Sequence, residues 1–214
     1  MELINPLAEQ YAERFTTPHD DLLHQIHLQS EAHEHATMLS TETQGQLLSF
    51  ISQIVQPKYI LEIGTFTGYS ALCLCKGLQP DGELHTIELR EADAQKSLSN
   101  FKLSDEAKRI HLHQGNAVTI IPTLSYQWDL VFIDADKASY ITYYELAVER
   151  LSEKGIIIVD NVLFHGHVLE ETIKGKNAKA IHEFNQHVQS DTRTEQVFVT
   201  VRDGLLLIRK KGNN

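Results

Sequence analysis

Two periods of hydrophobic residue run along this chain, and they change over at about residue 58. Before that point the apolar positions fall at helical spacing. Leu22, Leu23, Ile26 and Leu28 follow Asp20 and Asp21, either of which can cap a helix. Leu47, Leu48, Ile51, Ile54 and Val55 follow Ser40 and Thr41, which can cap another. From residue 59 onward, short apolar runs at 59–63, 83–88, 109–114, 128–134 and 155–160 read as buried strands, with helical stretches between them. Regular alternation of this kind predicts a parallel sheet with helices on both faces. Two further β-rich runs, 196–201 and 205–209, are separated only by Arg202-Asp203-Gly204, which predicts a closing antiparallel hairpin. Residues 1–57 are therefore expected to be a helical segment and residues 58–214 an α/β core, together one domain.

Composition narrows the function classes. The chain has 214 residues, 42% hydrophobic and 22% charged, which suits one α/β domain with a substantial core. A formal net charge of −10 argues against a general nucleic-acid binder, since phosphate recognition needs clustered Lys and Arg. No apolar run approaches the roughly 20 residues of a membrane span, and the first ten residues, MELINPLAEQ, do not read as a secretory leader. Cys73 and Cys75 are two apart in a predicted helix, a poor disulfide pair, and read as small core residues in a reducing compartment. These features together predict a cytoplasmic protein with neither a nucleic-acid nor a membrane partner.

The candidate chemistry lies at the ends of the predicted strands. In the stretch YILEIGTFTGYS, a strand leads through Gly64 and Gly68 into a helix. Dinucleotide enzymes carry G-x-G-x-x-G at such a turn. Here the pattern is E-x-G-x-x-x-G, with acidic Glu62 in the strand end, which suits an amino acid and a ribose better than a diphosphate. Glu88 ends the next strand, where a carboxylate can accept from both ribose hydroxyls. Asp134 and Asp136 follow the fourth strand, and Asp160 and Asn161 the fifth. Carboxylates ending apolar strands are costly without a counter-charge or a ligand. Asp134, Asp160 and Asn161 offer oxygen and no thiolate, a set for a hard divalent cation such as Mg²⁺, Mn²⁺ or Ca²⁺. Lys137 is then either a base with a lowered pKa or a salt-bridge partner of Asp134 or Asp136. Five histidines (His19, His24, His27, His33 and His35) read as a solvated helix face, because no Cys or carboxylate cluster completes a metal set.

The segments at 38–48 (containing TETQGQLL), 61–72 (LEIGTFTGYSAL), 132–145 (FIDADKASYITYYE), 160–168 (DNVLFHGHV) and 202–210 (RDGLLLIRK) resemble the cation-dependent O-methyltransferases. That family includes the caffeoyl-CoA type, small bacterial relatives and, more distantly, catechol O-methyltransferase. The resemblance spans nearly the whole chain, and D-A-D-K followed by D-N is its most specific part. It implies a Rossmann-like seven-stranded, mostly parallel sheet with helices on both faces and a C-terminal antiparallel hairpin. It also implies S-adenosylmethionine as cofactor, a small aromatic acceptor and a homodimer, to which the apolar faces of residues 1–57 would contribute. Carried over by position, Glu62, Gly64, Thr65 and Ser70 would hold the methionine part and Glu88 the ribose. Ala117 would line the adenine pocket, with Ser40 and Asp136 closing over the cofactor. Asp134, Asp160 and Asn161 match the metal ligands and Lys137 the base. The family commonly has Trp where Phe164 stands, and plant members have Asn where His165 stands, so acceptor identity is left open. The segment from His165 to Lys179 is expected to be an acceptor loop. Weighed beside this are a nicotinamide oxidoreductase, a catalytically silent cofactor-binding protein and an RNA methyltransferase.

Overall fold

The computed structural model describes residue 3, residues 5–31 and residues 39–212. Three helices come first: α1 (Pro6–Phe15), α2 (Asp21–Glu31) and α3 (Glu42–Val55). Asp20 caps α2 by accepting from Leu23 N, and Thr41 caps α3 by accepting from Gln44 N. Each such cap contributes about 1 kcal/mol. The histidines of this segment depart in part from a solvated face. His24 is exposed against Glu42, but His27 is buried and its Nε2–H donates to Ser40 O at 3.1 Å. His33 and His35 lie outside the described residues.

The sheet is built from β1 (Tyr59–Ile63), β2 (Glu83–Glu88), β3 (Ile110–Gln114), β4 (Trp128–Ile133), β5 (Leu151–Asp160), β6 (Thr194–Val199) and β7 (Leu205–Lys210). Their order is β3-β2-β1-β4-β5-β7-β6, with β1 to β5 parallel and β7 antiparallel to both neighbours. Several expected boundaries move, β6 beginning at Thr194 rather than 196 among them, and two have a visible cause. β5 begins at Leu151 rather than at 155, because a register irregularity lets Leu151 pair with Trp128 before the regular ladder starts. β6 ends at Val199 rather than 201, because Arg202 is left-handed (φ 47°) and Val201 O accepts from Gly204 N in the turn.

Alternate residues of the central strands fill two cores. On one face Ile60, Leu130, Phe132 and Ile158 pack with Leu23 and Ile26 of α2, Leu48 of α3 and the helix α4 (Tyr69–Cys75). On the other, Leu61, Ile63, Val131, Ile133, Ile157 and Val159 pack with α7 (Tyr140–Glu149) and α8 (Lys176–Ser190). Strand interiors buried on both faces are the mark of a parallel sheet. Cys73 and Cys75 are both buried free thiols. No helix among the described residues is long and apolar enough to cross a membrane.

Candidate active site

In an open α/β sheet, ligands bind beyond the carboxyl ends of the strands, where the strand order reverses. That point lies between β1 and β4 here, and a cavity of about 810 Å³ opens there. Its size is that of a small-ligand site.

The β1–α4 turn forms one wall. Gly64 has φ 99°, and a Cβ there would stand 1.9 Å from Asp134 O, so only glycine lets the β1 turn pass this close to the end of β4. Gly68, at φ 83°, starts α4 against the Phe101 ring. Gly64, Thr65 and Ser70 line the cavity, and so do Ser40, Glu88, Ala117, Asp134, Asp136, Lys137, Asp160 and Asn161. Glu62 is the expected site residue that does not. It is fully buried behind Ser70, whose hydroxyl donates to Oε1 at 2.6 Å, while Thr86 donates to Oε2 at 2.5 Å. Burial, with the Asp134 and Glu88 carboxylates adding to it, pushes the Glu62 carboxyl up to about 8 against those two hydrogen bonds.

Glu88 closes the end of β2. Its Oε2 accepts from Phe66 N at 2.8 Å and its Oε1 from Arg90 N at 2.9 Å. Two backbone donors thus fix the carboxylate, and each oxygen keeps a lone pair for a ligand hydroxyl. Asn116 caps the single turn α6 (Ala117–Ile120), which sets Ala117 at the cavity wall.

The ends of β4 and β5 form the floor. Lys137 Nζ donates to Asn161 Oδ1 at 2.6 Å, to Tyr140 Oη at 2.6 Å and to Asp134 Oδ1 at 3.0 Å. Burial works to lower the Lys137 pKa, but Tyr140 and Asp134 outweigh it and hold the ammonium well above its usual range. Of the two salt-bridge partners considered for Lys137, Asp134 is the one engaged. Asp136 accepts from Tyr143 Oη at 2.5 Å instead. Asp160 takes Gln44 Nε2 at 2.6 Å on one oxygen and Asn161 N at 2.7 Å on the other. Burial first, then the Asp134 carboxylate, pushes the Asp160 carboxyl up to about 6. Three oxygen-bearing side chains, those of Asp134, Asp160 and Asn161, therefore line the floor together. A cationic group, the Lys137 ammonium, already sits on two of the three. This donor set fits a hard divalent cation.

Gln44 and Tyr140 lie inside the resembling segments 38–48 and 132–145, but neither of them takes a role from sequence alone. Gln44, from α3, accepts Arg202 Nη1 at 2.8 Å while it donates to Asp160, so it ties the helical segment and the β6–β7 turn to the floor. Tyr140 donates to Asp160 O at 3.1 Å while it accepts from Lys137. The backbone around the cavity is also unusual. Among the described residues six non-glycines have positive φ, and five of them (Phe66, Asn161, Phe164, His165 and Arg202) line it. Left-handed backbone costs a non-glycine residue about 1–2 kcal/mol, so its concentration here marks a site rather than a scatter of turns. The expected acceptor loop is shorter than 165–179, since α8 already begins at Lys176.

Comparison with known proteins agrees with this geometry. A family model described as O-methyltransferase matches residues 13–211. Caffeoyl-CoA O-methyltransferase of Stellaria longipes is 30% identical over 88% of this chain and 83% of its own length. Catechol O-methyltransferase of Niastella koreensis is 33% identical over 77% and 78%. The SAH-bound methyltransferase of Podospora anserina superposes with a TM-score of 0.90 at 28% identity, covering 96% of this chain and 94% of that one. The O-methyltransferase of Bacillus cereus in complex with SAH gives 0.88 at 28% identity, covering 96% and 97%. The chain belongs to the O-methyltransferase family and is an S-adenosylmethionine-dependent methyltransferase.

Proposed function

We propose that the protein methylates one hydroxyl of a small aromatic vicinal diol of the catechol type, with the help of a divalent cation, Mg²⁺ before Mn²⁺ or Ca²⁺. The observation that carries this is the convergence of Asp134, Asp160 and Asn161 beside Lys137, on the floor of a cavity whose wall is the β1–α4 turn. The two named relatives are a caffeoyl-CoA and a catechol O-methyltransferase, which supports the acceptor class.

In this reading Glu88 takes the ribose hydroxyls, and Ala117 packs against the adenine. Gly64, Thr65 and Ser70 surround the methionine part, with Glu62 fixing the Ser70 hydroxyl from behind. Ser40 and Asp136 narrow the mouth. The bound cofactor supplies the methyl group from its sulfonium, a carbon–oxygen bond forming as the carbon–sulfur bond breaks. Asp134, Asp160 and Asn161 would hold the cation, and it would supply Lewis-acid chemistry that makes the acceptor phenol more acidic. Lys137 Nζ accepts the phenolic proton. It can do so once the Asp134 carboxylate that now supports the ammonium is engaged elsewhere. Phe164 and His165 border the acceptor side. Holding both reactants in line is worth roughly 7–11 kcal/mol.

Methyl transfer to catechol should need added Mg²⁺, stop in a chelator and return when Mg²⁺ is restored. A monophenol should react far more slowly. Full turnover of catechol in a metal-stripped sample would refute the cation. A nicotinamide oxidoreductase is poorly served by this turn, which lacks the middle glycine, and a silent binding protein has no need of the Asp134–Asp160–Asn161 floor.

The same proposal extends to a cytoplasmic homodimer. Leu7, Tyr11 and Phe15 lie along one face of α1, and Phe50 and Ile54 along one face of α3, all more than half exposed. A stripe of this length is more than isolated surface residues require. Light scattering at micromolar concentration should give twice the 24.3 kDa chain mass, and a monomer would reject the dimer.

A further inference from the structure

At the end of the sheet away from the cavity, register gathers four side chains that take no part in methyl transfer. Glu83 opens β2 and His85 follows two residues later, on the same face. In the neighbouring edge strand β3, His111 lies directly beside His85 and His113 beside Ile87. The His85 ring stacks between those of His111, at 4.8 Å, and His113, at 5.3 Å, with Tyr126 at 4.3 Å closing over it. His85 is only 3% exposed, whereas the Glu83 and His111 side chains reach solvent.

We propose that Glu83, His85 and His111 form a second metal site, for a divalent transition ion of the zinc class, which pins the edge strand β3 to β2. The donor atoms of these three residues all lie within 4.8 Å of one another, and no other trio of His, Cys, Asp or Glu among the described residues does so. A tetrahedral ion with bonds of about 2.0–2.1 Å needs donors roughly 3.4 Å apart. Glu83 Oε2 stands 3.3 Å from His85 Nε2 and 3.7 Å from His111 Nε2.

The surroundings complete the chemistry. A ligating histidine is normally oriented by a partner on its other ring nitrogen. His85 Nδ1 lies 3.0 Å from His113 Nε2, so His113 can accept from Nδ1–H and leave the Nε2 lone pair facing Glu83. In that tautomer a cation held between the lone pair and the Glu83 oxygen, 3.3 Å away, takes the place of the hydrogen bond that the other tautomer makes there. Two imidazoles and one carboxylate suit zinc, cobalt or copper, whereas Mg²⁺ and Ca²⁺ prefer oxygen. The two ends of the sheet therefore select different metals.

Zinc uptake by the chelator-stripped full chain, in competition with a chromophoric chelator, tests this. Wild type, His111→Asn, Glu83→Gln and Asp160→Ala would be compared. The expected result is one zinc site weakened at least about tenfold in His111→Asn and in Glu83→Gln, yet kept in Asp160→Ala. Both substituted side chains reach solvent, so the variants should fold, and circular dichroism melts would verify that. Zinc should raise the melting temperature of the wild type and not that of the His111→Asn, Glu83→Gln double variant. Co²⁺ should give the intense visible bands of low-coordinate nitrogen ligation in the wild type and in Asp160→Ala, and in neither His111→Asn nor Glu83→Gln. Zinc uptake that both single variants leave unchanged, or that Asp160→Ala abolishes, would overturn the site.

Discussion

Asp160→Ala should lose at least about a thousandfold in turnover on a vicinal diol while cofactor affinity stays within a few-fold of wild type. A Lewis-acid cation is worth several kcal/mol at the transition state, and each 1.4 kcal/mol is tenfold in rate. The two halves of the cavity explain the split between turnover and affinity. Glu88 and the β1–α4 turn are held by Phe66 N, Arg90 N and the Glu62–Ser70 bond, none of which involves Asp160. Removing the carboxylate also leaves the Gln44 amide without its acceptor. Asp160→Asn is therefore the companion variant, since it preserves that hydrogen bond and still removes the charge. Turnover near the wild-type rate in either folded variant, measured by release of the demethylated cofactor, would sink the cation's role.

Lys137→Ala should lower turnover by about 10²–10⁴, the usual worth of a positioned base, with acceptor and cofactor still binding. The structure makes the competing outcome concrete. Lys137 is a hydrogen-bonded ammonium joined to Asp134, Tyr140 and Asn161, so a purely structural lysine would cost melting temperature and little rate. Lys137→Arg separates the two roles. Arginine keeps the charge and its donors but cannot give up a proton near neutral pH. A base predicts that Lys137→Arg melts close to wild type and turns over as poorly as Lys137→Ala. A salt bridge predicts that Lys137→Arg recovers most of the rate. Turnover within a few-fold of wild type in a folded, Mg²⁺-loaded Lys137→Ala protein would leave water to take the proton.

The parallel sheet was legible because strands buried on both faces are written as continuous apolar runs. The same rule marked the floor of the site, since Asp134 and Asp160 interrupt such runs at their ends. β6 and β5 moved at boundaries that depend on a left-handed Arg202 and on a register irregularity at Trp128, and neither leaves a local pattern. Gln44 and Tyr140 stood in the resembling segments, but their roles were not legible, for a different reason. Each lies in a helix whose spacing is explained by packing, and only the fold brings it to Asp160. The histidine ledge escaped in the same way. His85 and His111 belong to separate strands, and the β2–β3 register alone makes them neighbours. Of the histidines that drew notice before residue 36, His27 does other work, supporting Ser40.

The bridge from Gln44 to Asp160 and Arg202 bears on the order in which the enzyme is made. The hydrogen bonds of the β1–α4 wall and Glu88 span 8, 22 and 24 residues, whereas the Gln44–Arg202 bond spans 158. Closing the longer loop costs about 1.7 kcal/mol more than a 22-residue one, and it must wait for the end of the chain to leave the ribosome. A nascent chain that has reached α6 already holds every residue of the β1–α4 turn and Glu88. It acquires the Arg202 tie to Gln44, behind Asp160, only when the last hairpin docks, so one wall of the cavity can be assembled before its floor is braced.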